Sequence, residues 1–430
     1  MSRIKLPPAA VPLLIAASAI LFAIDVVVPG TGLGGWITTN RLGLLAIGAV
    51  GVALLPRIRL PSVVMRTVAG LYLVTIWGII SLLASPFVGE GGASVLYVVP
   101  WAAICVIVVV VYNACSLVSP AVVQQALFWI LLGGCAANVL TWVYLIDQIG
   151  VAGLLDPWRV RAALGEFGPG LNRHLNGLFA LTTVALATMV GAVERRPYLT
   201  AVAVVSVFSL LLLSVQAGSR QTLVAIAAFV LFLLFLLRKS LLGRKGLLTF
   251  WATAAVAGAL GYVGDRINLW SWLKYRFVER TVEQYTAGSE RLAIWDQGIR
   301  IAADHLLLGV GPGAFATAAG AYADNGYIAL AAEYGIIPAI MIVVTILGVV
   351  RVGIRKRRYV ASNVRGLHDV ALASVAVYGL VAPLFNELLR DYTLWLFVGV
   401  LIFTSEAATV RAVGGSRSTG GSDGLRLRLG

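Results

Sequence analysis

The chain predicts an all-α polytopic membrane bundle of about 12 transmembrane helices with a large helical loop on the outer side. Three observations carry that expectation. Of its 430 residues, 60% are hydrophobic and only 12% are charged. Its mean hydropathy is +0.92. Apolar runs of roughly 17–25 residues, the length a helix needs to cross ~30 Å of hydrocarbon, recur along the chain.

The first run, 8–28, follows Arg3 and Lys5 and continues through Val28 with no small-residue cleavage site before Pro29-Gly30. It is expected to be an uncleaved span rather than a signal peptide. Further spans are expected over 41–55 (the shortest), 67–84, 95–112, 121–146, 174–192, 198–216, 219–237, 246–264, 326–350, 367–386 and 391–410. Residues 1–410 then form one transmembrane domain whose soluble portion lies mainly in two outward loops, 147–173 and 265–325. Residues 411–430, rich in Gly and Ser with scattered Arg and no apolar face, are expected to be a disordered cytoplasmic tail.

A net charge of +14 invites a nucleic-acid reading, but the positions of the basic residues explain it otherwise. With the N-terminus inside, 21 of the 33 Lys and Arg residues fall on cytoplasmic segments, against only Glu194, Asp369, Glu406 and Asp423. That is the positive-inside pattern, with both termini cytoplasmic. The cluster Arg351-Val-Gly-Ile-Arg-Lys-Arg-Arg358 is read as a topology anchor near anionic membrane lipids, and no nucleic-acid partner is expected. Cys105, Cys115 and Cys135 lie in expected spans without C-x-x-C spacing, so they are read as small packing residues. No two acidic residues stand two apart, so the D-x-D arrangement for a metal-bound sugar phosphate is missing, and no metal is expected.

Chemistry is therefore sought on the outward loops. Leu292, Trp295, Ile299, Ala302 and Leu306 recur at 3- and 4-residue spacings, one face of a helix seated at the membrane surface. Arg291 lies at the flank of that stripe, where it either reaches a lipid phosphate or snorkels. Leu308-Gly-Val-Gly-Pro-Gly313 looks like a phosphate-cradling loop, but a helix precedes it and Pro312 removes a donor, so a plain turn is favoured. Trp270, Trp272, Tyr275 and Phe277 interleave with Lys274, Arg276 and Arg280, read as an interfacial belt before a sugar-stacking surface. The hairpin Gln216-Ala-Gly-Ser-Arg220-Gln221 places Arg220 at an outer mouth; held at mid-bilayer it would cost about 2.5–3.5 kcal/mol, which a buried anion offsets. Glu333, two turns inside the tenth span, needs an internal partner such as one of these arginines.

Taken together, Ser219-Arg220 opening a span, Arg291-Leu-Ala-Ile-Trp295, Asp304-His305, Gly309-Val-Gly-Pro-Gly313-Ala-Phe315, and Asp324-Asn325 followed nine residues later by Gly335-Ile-Ile-Pro338 resemble the O-antigen ligase and polymerase superfamily. Arg161 and Asn176 resemble that family's arginine-to-asparagine stretch entering a span. Asp324 stands where the ligase signature carries His, and Pro338 ends the motif where Gly, Thr or Tyr is usual. The resemblance implies a bundle of about a dozen spans with a large periplasmic loop in a bacterial inner membrane. It also implies transfer of a glycan from an undecaprenyl pyrophosphate donor to an acceptor hydroxyl, on a lipid-linked glycan or a lipid core, without metal or cofactor.

Such a transfer needs cations where the anomeric bond breaks, and Arg220 and Arg291 meet that need at the outer face. Asp324 is the candidate base, or equally an N-cap for the tenth span. His305 is a second base candidate, and His174 stands at the start of span six. Arg161 and Arg173 on the shorter loop guide donor or acceptor, and Asn176, Asn325 and Glu333 complete the expected substrate-binding set. Direct displacement would invert the anomeric centre. Polymerase and ligase share this chemistry, and the missing signature His leans the reading toward polymerase. The alternatives are a solute transporter with Arg220 and Glu333 along its path, though no internal repeat supports it, and a lipid-glycan binder without turnover.

Overall fold

The computed structural model describes residues 39–88, 93–119, 122–123, 139, 142–154, 156–166, 220–241, 271, 274–275, 279, 290–321, 325–384, 388–390 and 392–419. The described elements are helical: α1 (Thr39–Leu54), α2 (Ser62–Ala84), α3 (Val99–Ser116), α4 (Pro157–Glu166), α5 (Arg220–Leu241), α6 (Glu290–Asp304), α7 (Phe315–Ala319), α8 (Gly326–Tyr334), α9 (Ile336–Lys356), α10 (Ser362–Ala376) and α11 (Tyr392–Thr419). Among the described residues the only extended pairing is one isolated bridge between Val88 and Ala93.

Four stretches, Ser62–Ala84, Val95–Ser116, Ile336–Tyr359 and Val364–Leu384, are long and apolar enough to cross a membrane, and Leu42–Leu54, Val224–Leu236 and Tyr392–Ala407 are shorter apolar helices. They fall on the expected spans at 67–84, 95–112, 326–350, 367–386, 41–55, 219–237 and 391–410. The expected spans 8–28, 174–192, 198–216 and 246–264 lie outside the described residues, as does most of 121–146, although helix is described over 142–153. The last helix runs to Thr419, beyond the expected domain edge at 410, and residues 420–430 lie outside the description.

The segment Val364–Leu384 is the centre of the bundle and is buried along most of its length. It begins as α10, widens into a π-helical turn over Val377–Val381 and tightens into a 3-10 turn over Ala382–Leu384. Around it α11 packs on α3 and α10, and α2 packs on α3 and α9. Trp101, Ile346, Tyr378 and Trp395 are buried in the shared apolar core. Outward faces remain apolar, with Leu73 and Ile80 exposed on α2 and Ile340 and Val344 exposed on α9. A helix that is greasy on both sides suits a solvent of acyl chains, in which its backbone hydrogen bonds are all made internally. Close crossings use small residues: a Cβ at Gly399 of α11 would press on Val111 of α3, and one at Gly78 of α2 on the Tyr334 ring.

One end of the bundle is fastened by charges assigned in the sequence to the soluble inner face. Arg357 donates to both oxygens of the fully buried Asp369 (2.6 and 2.8 Å) and to the carbonyl of Leu236 (2.6 Å). Lys356 pairs with Glu406 at 3.2 Å. Next to them the buried His368 ring lies 3.0 Å from Thr404 Oγ1 and 3.0 Å from the Gly353 carbonyl. Asp369 and Glu406 thus act inside the helix packing.

The expected tenth span, 326–350, is two helices. Gly335 adopts φ 87°, ψ 171°, a conformation effectively reserved for glycine, and α8 ends there. Pro338 then sits in the first turn of α9, where the missing N–H has no helical acceptor to lose.

Candidate functional site

The break at Gly335 leaves α8 as a nine-residue helix with both ends inside protein. Its N-cap is Asn325, whose side-chain oxygen accepts from the Tyr327 and Ile328 N–H groups at 3.0 and 3.1 Å while Nδ2 donates to the Leu384 carbonyl at 3.2 Å. The capping role considered for Asp324 is taken by Asn325, one residue on. Two residues on, the Tyr327 hydroxyl donates to the Gly379 carbonyl at 2.5 Å. Gly379 lies in the π turn of the central helix, so a local widening there meets the start of α8.

The C-terminal end of α8 is capped by the glycine loop. Val310 and Gly311 N–H groups donate to the Ala332 and Glu333 carbonyls (2.8 and 3.0 Å), and the Ile336 N–H donates to the Leu306 carbonyl at 2.9 Å. Helix α2 completes the wiring. Trp77 Nε1 donates to Leu307 O at 3.0 Å, Ser81 Oγ to the carbonyls of Leu308 and Glu333, and Ser85 Oγ to Val310 O at 2.5 Å. The turn reading of Leu308–Gly313 matches this geometry: N–H groups that a phosphate would need are spent on a broken helix. Gly309, with φ 66°, is required by contact as well as conformation, because a Cβ there would enter the Glu333 backbone.

The charged centre of the site is Glu333. Its carboxylate is paired with Arg390, which stands in a 3-10 turn (Leu388–Arg390) just before α11. The Glu333 side chain is 5% exposed and that of Arg390 17%. The arginine also lies over the rings of Tyr97 and Tyr334, 5.3 and 5.5 Å from their centroids. Tyr334 in turn donates its hydroxyl to the Tyr97 carbonyl at 2.7 Å and meets the Trp101 ring edge-on at 6.5 Å. A cavity of about 10 Å³ is lined by Trp101, Gly326, Ala329, Leu330, Leu389 and Arg390.

Of the residues expected at the site, the structure brings Asn325 and Glu333 onto one short helix. Arg220 is the first residue of α5, Arg291 the second of α6, and Arg161 lies within α4; their backbone positions are described. Asp324, Arg173, His174 and Asn176 lie outside the described residues. His305 is exposed in the turn after α6, where its carbonyl accepts from the Gly309 N–H at 2.8 Å. The stripe on α6 is divided: Leu292 and Ile299 are 46% and 58% exposed, whereas Ala302 joins Ile294 and Ile301 against Phe315, Ala329 and Ala332. Tyr275 from the longer loop packs on Trp158 from the shorter one at 4.8 Å, so the two loops touch.

Arg390 is not among the expected partners of Glu333, although a charge between two apolar runs is a signal of that kind. Trp101 carries no signal that would separate it from other span tryptophans.

A buried broken helix, charged beside its break and set within an apolar bundle, defines a multi-pass membrane protein with a polar site built between helices. Over residues 201–343 the chain matches the family model for O-antigen ligase, which supports an O-antigen ligase-type family. The match spans Arg220, Arg291, Asp324, Glu333 and the break at Gly335. No curated relative and no solved structure matches the chain.

Proposed function

We propose that the protein is a glycosyltransferase of the O-antigen ligase and polymerase type, moving a glycan from undecaprenyl pyrophosphate to an acceptor hydroxyl at the outer face of a bacterial inner membrane. The acceptor is a lipid-linked glycan in a polymerase and a lipid core in a ligase. The observation that carries this reading is the family match over 201–343, which contains every residue of the proposed catalytic set.

Arg220 and Arg291 take the charge that gathers on the departing pyrophosphate, a role for which guanidinium is suited by its permanent charge and bidentate geometry. Asp324 takes the proton of the attacking hydroxyl, and attack opposite the leaving group inverts the anomeric carbon. The Asn325 cap supports this assignment, because α8 starts with its first N–H groups already served by the residue after Asp324. Arg161, Arg173, His174, Asn176 and His305 steer the glycan, with Arg161 on a loop whose Trp158 touches the longer loop. A path for solutes along Glu333 is disfavoured, since that carboxylate is buried against Arg390.

The test is turnover by purified protein in nanodiscs supplied with an undecaprenyl-pyrophosphate glycan pool. Longer lipid-linked chains are expected from a polymerase, and product only on adding a different acceptor from a ligase. Arg220→Ala and Arg291→Ala should lose product, and Asp324→Asn should fall by about 10²–10⁴-fold while still binding donor. Absence of turnover with every acceptor would refute the enzyme reading.

A further inference from the structure

The cavity beside α8 has a lining of one chemical kind. Among the described residues that line it, only Trp101 and Arg390 carry polar side chains, and both are donors without acceptor capacity. Among the described residues the carboxylate beside this lining is Glu333, which is already paired with Arg390. The Leu389 carbonyl accepts from Trp395 Nε1 at 2.9 Å. Gly326, the first residue of α8, brings the positive end of a nine-residue helix to the same wall. Trp101 is 0% exposed, and its Nε1–H has no acceptor among the described residues. An indole N–H withdrawn from water without a partner is unfavourable, and native interiors rarely keep one without a reason.

We propose that this cavity is an oxyanion subsite that receives one phosphoryl oxygen of the lipid-linked pyrophosphate, held by Trp101 Nε1–H and the Arg390 guanidinium. The guest must accept hydrogen bonds and need donate none, which selects a phosphoryl oxygen over a hydroxyl or a cation. The space, about 10 Å³, fits one oxygen while the rest of the group stays outside. Gly326 is two residues past Asp324, so the subsite and the proposed base are close along the chain. Both donors lie outside the matched segment 201–343, so the subsite adds to the charges assigned to Arg220 and Arg291. The proposal rests on the lipid-pyrophosphate reading for the identity of its ligand.

Binding is measured on the full chain in phosphatidylcholine nanodiscs with three probes: undecaprenyl pyrophosphate, inorganic pyrophosphate, and phosphatidylglycerol mixed into the disc. Trp101→Phe keeps an aromatic side chain, though a smaller one, and removes the donor; Arg390→Lys keeps the charge and removes the fork. Each is expected to bind undecaprenyl pyrophosphate about tenfold more weakly. Trp101→Phe deletes the orphaned donor but also leaves space where the larger ring packed, so its Tm is read beside its binding as a check that it folds. A Trp101-dependent effect with inorganic pyrophosphate supports the subsite and shows that the lipid tail is dispensable. The same effect with phosphatidylglycerol supports it and shows that any phosphate headgroup can enter. Equal affinity of parent and Trp101→Phe for all three probes overturns it, leaving a water-sized void. Should Trp101→Phe fail to fold, unchanged binding by Arg390→Lys overturns it alone. Turnover with Trp101-independent binding sinks only the subsite; Trp101-dependent binding without turnover sinks only the enzyme reading. A parent that binds none of the probes removes both.

Discussion

Glu333 is where burial and charge conflict most openly in this molecule. A carboxylate 5% exposed is tolerable only with a cation against it, and Arg390 is that cation, itself flanked by the Tyr97 and Tyr334 rings. Removing one partner leaves the other uncompensated. Glu333→Gln is expected to destabilise by about 3–5 kcal/mol, read as a lowered Tm of the detergent-purified protein. Glu333→Gln combined with Arg390→Gln should recover much of that loss, since two neutral amides can face each other without a stranded charge. A double variant that melts as low as or lower than Glu333→Gln alone would show that the pair is not what holds the two residues there. The sequence makes the need for a partner legible but not its identity: Arg390 reads as a flanking charge between two spans, and nothing in hydropathy says that it folds back onto a helix 57 residues earlier.

At the scale of the element, the informative feature is the division of one apolar run into α8 and α9. Length and hydropathy place the run correctly, because any helix crossing lipid must be long and greasy. They are blind to its interruption, because Gly-Ile-Ile-Pro is as apolar as what surrounds it. What divides it is the sign of one φ angle, together with a loop that supplies N–H groups to the carbonyls released at the break. The pairing of Gly335 with Pro338 is the available hint, being a helix stop followed by a residue suited to a first turn. Gly335→Ala should therefore fail twice. It strains a conformation worth about 1–3 kcal/mol, and it drives a Cβ into the Leu307 carbonyl. Gly320 has φ 67° but nothing within 4 Å of an added Cβ, so Gly320→Ala should cost only about 1–2 kcal/mol. Comparing monodisperse yield and Tm of the two variants checks this, and equal behaviour would mean that close contact at the break contributes little. The same blindness to local detail explains the cap: Asp324 and Asn325 are both good N-caps, and only the fold assigns the task to the second.

For the whole molecule, two ion-paired regions at opposite ends of α9 give a direction. Lys356, Arg357, Asp369 and Glu406 gather at the far end of α9, while Asn325, Glu333 and Arg390 lie at the near end. Twenty-one helical residues separate these ends by about 32 Å, the thickness of a hydrocarbon core. Arg351, Arg355, Arg358 and Arg365 are exposed at the far end, which by the positive-inside tendency belongs in the cytoplasm. The function proposed above requires the candidate site to face outward, an orientation that labelling tests directly. In a background with Cys105, Cys115 and Cys135 replaced by Ala, Arg358→Cys should react with a membrane-impermeant thiol reagent only in inside-out vesicles. Thr317 is exposed on α7, and Thr317→Cys should react only from outside on intact spheroplasts. The reverse pattern would put the α8 site on the cytoplasmic side and exclude outer-face transfer, whatever the chemistry of its arginines. Labelling of both positions from one side would mean that α8 and α9 return without crossing, and the ion pair at Glu333 would then mark a re-entrant hairpin instead of the outer end of a span.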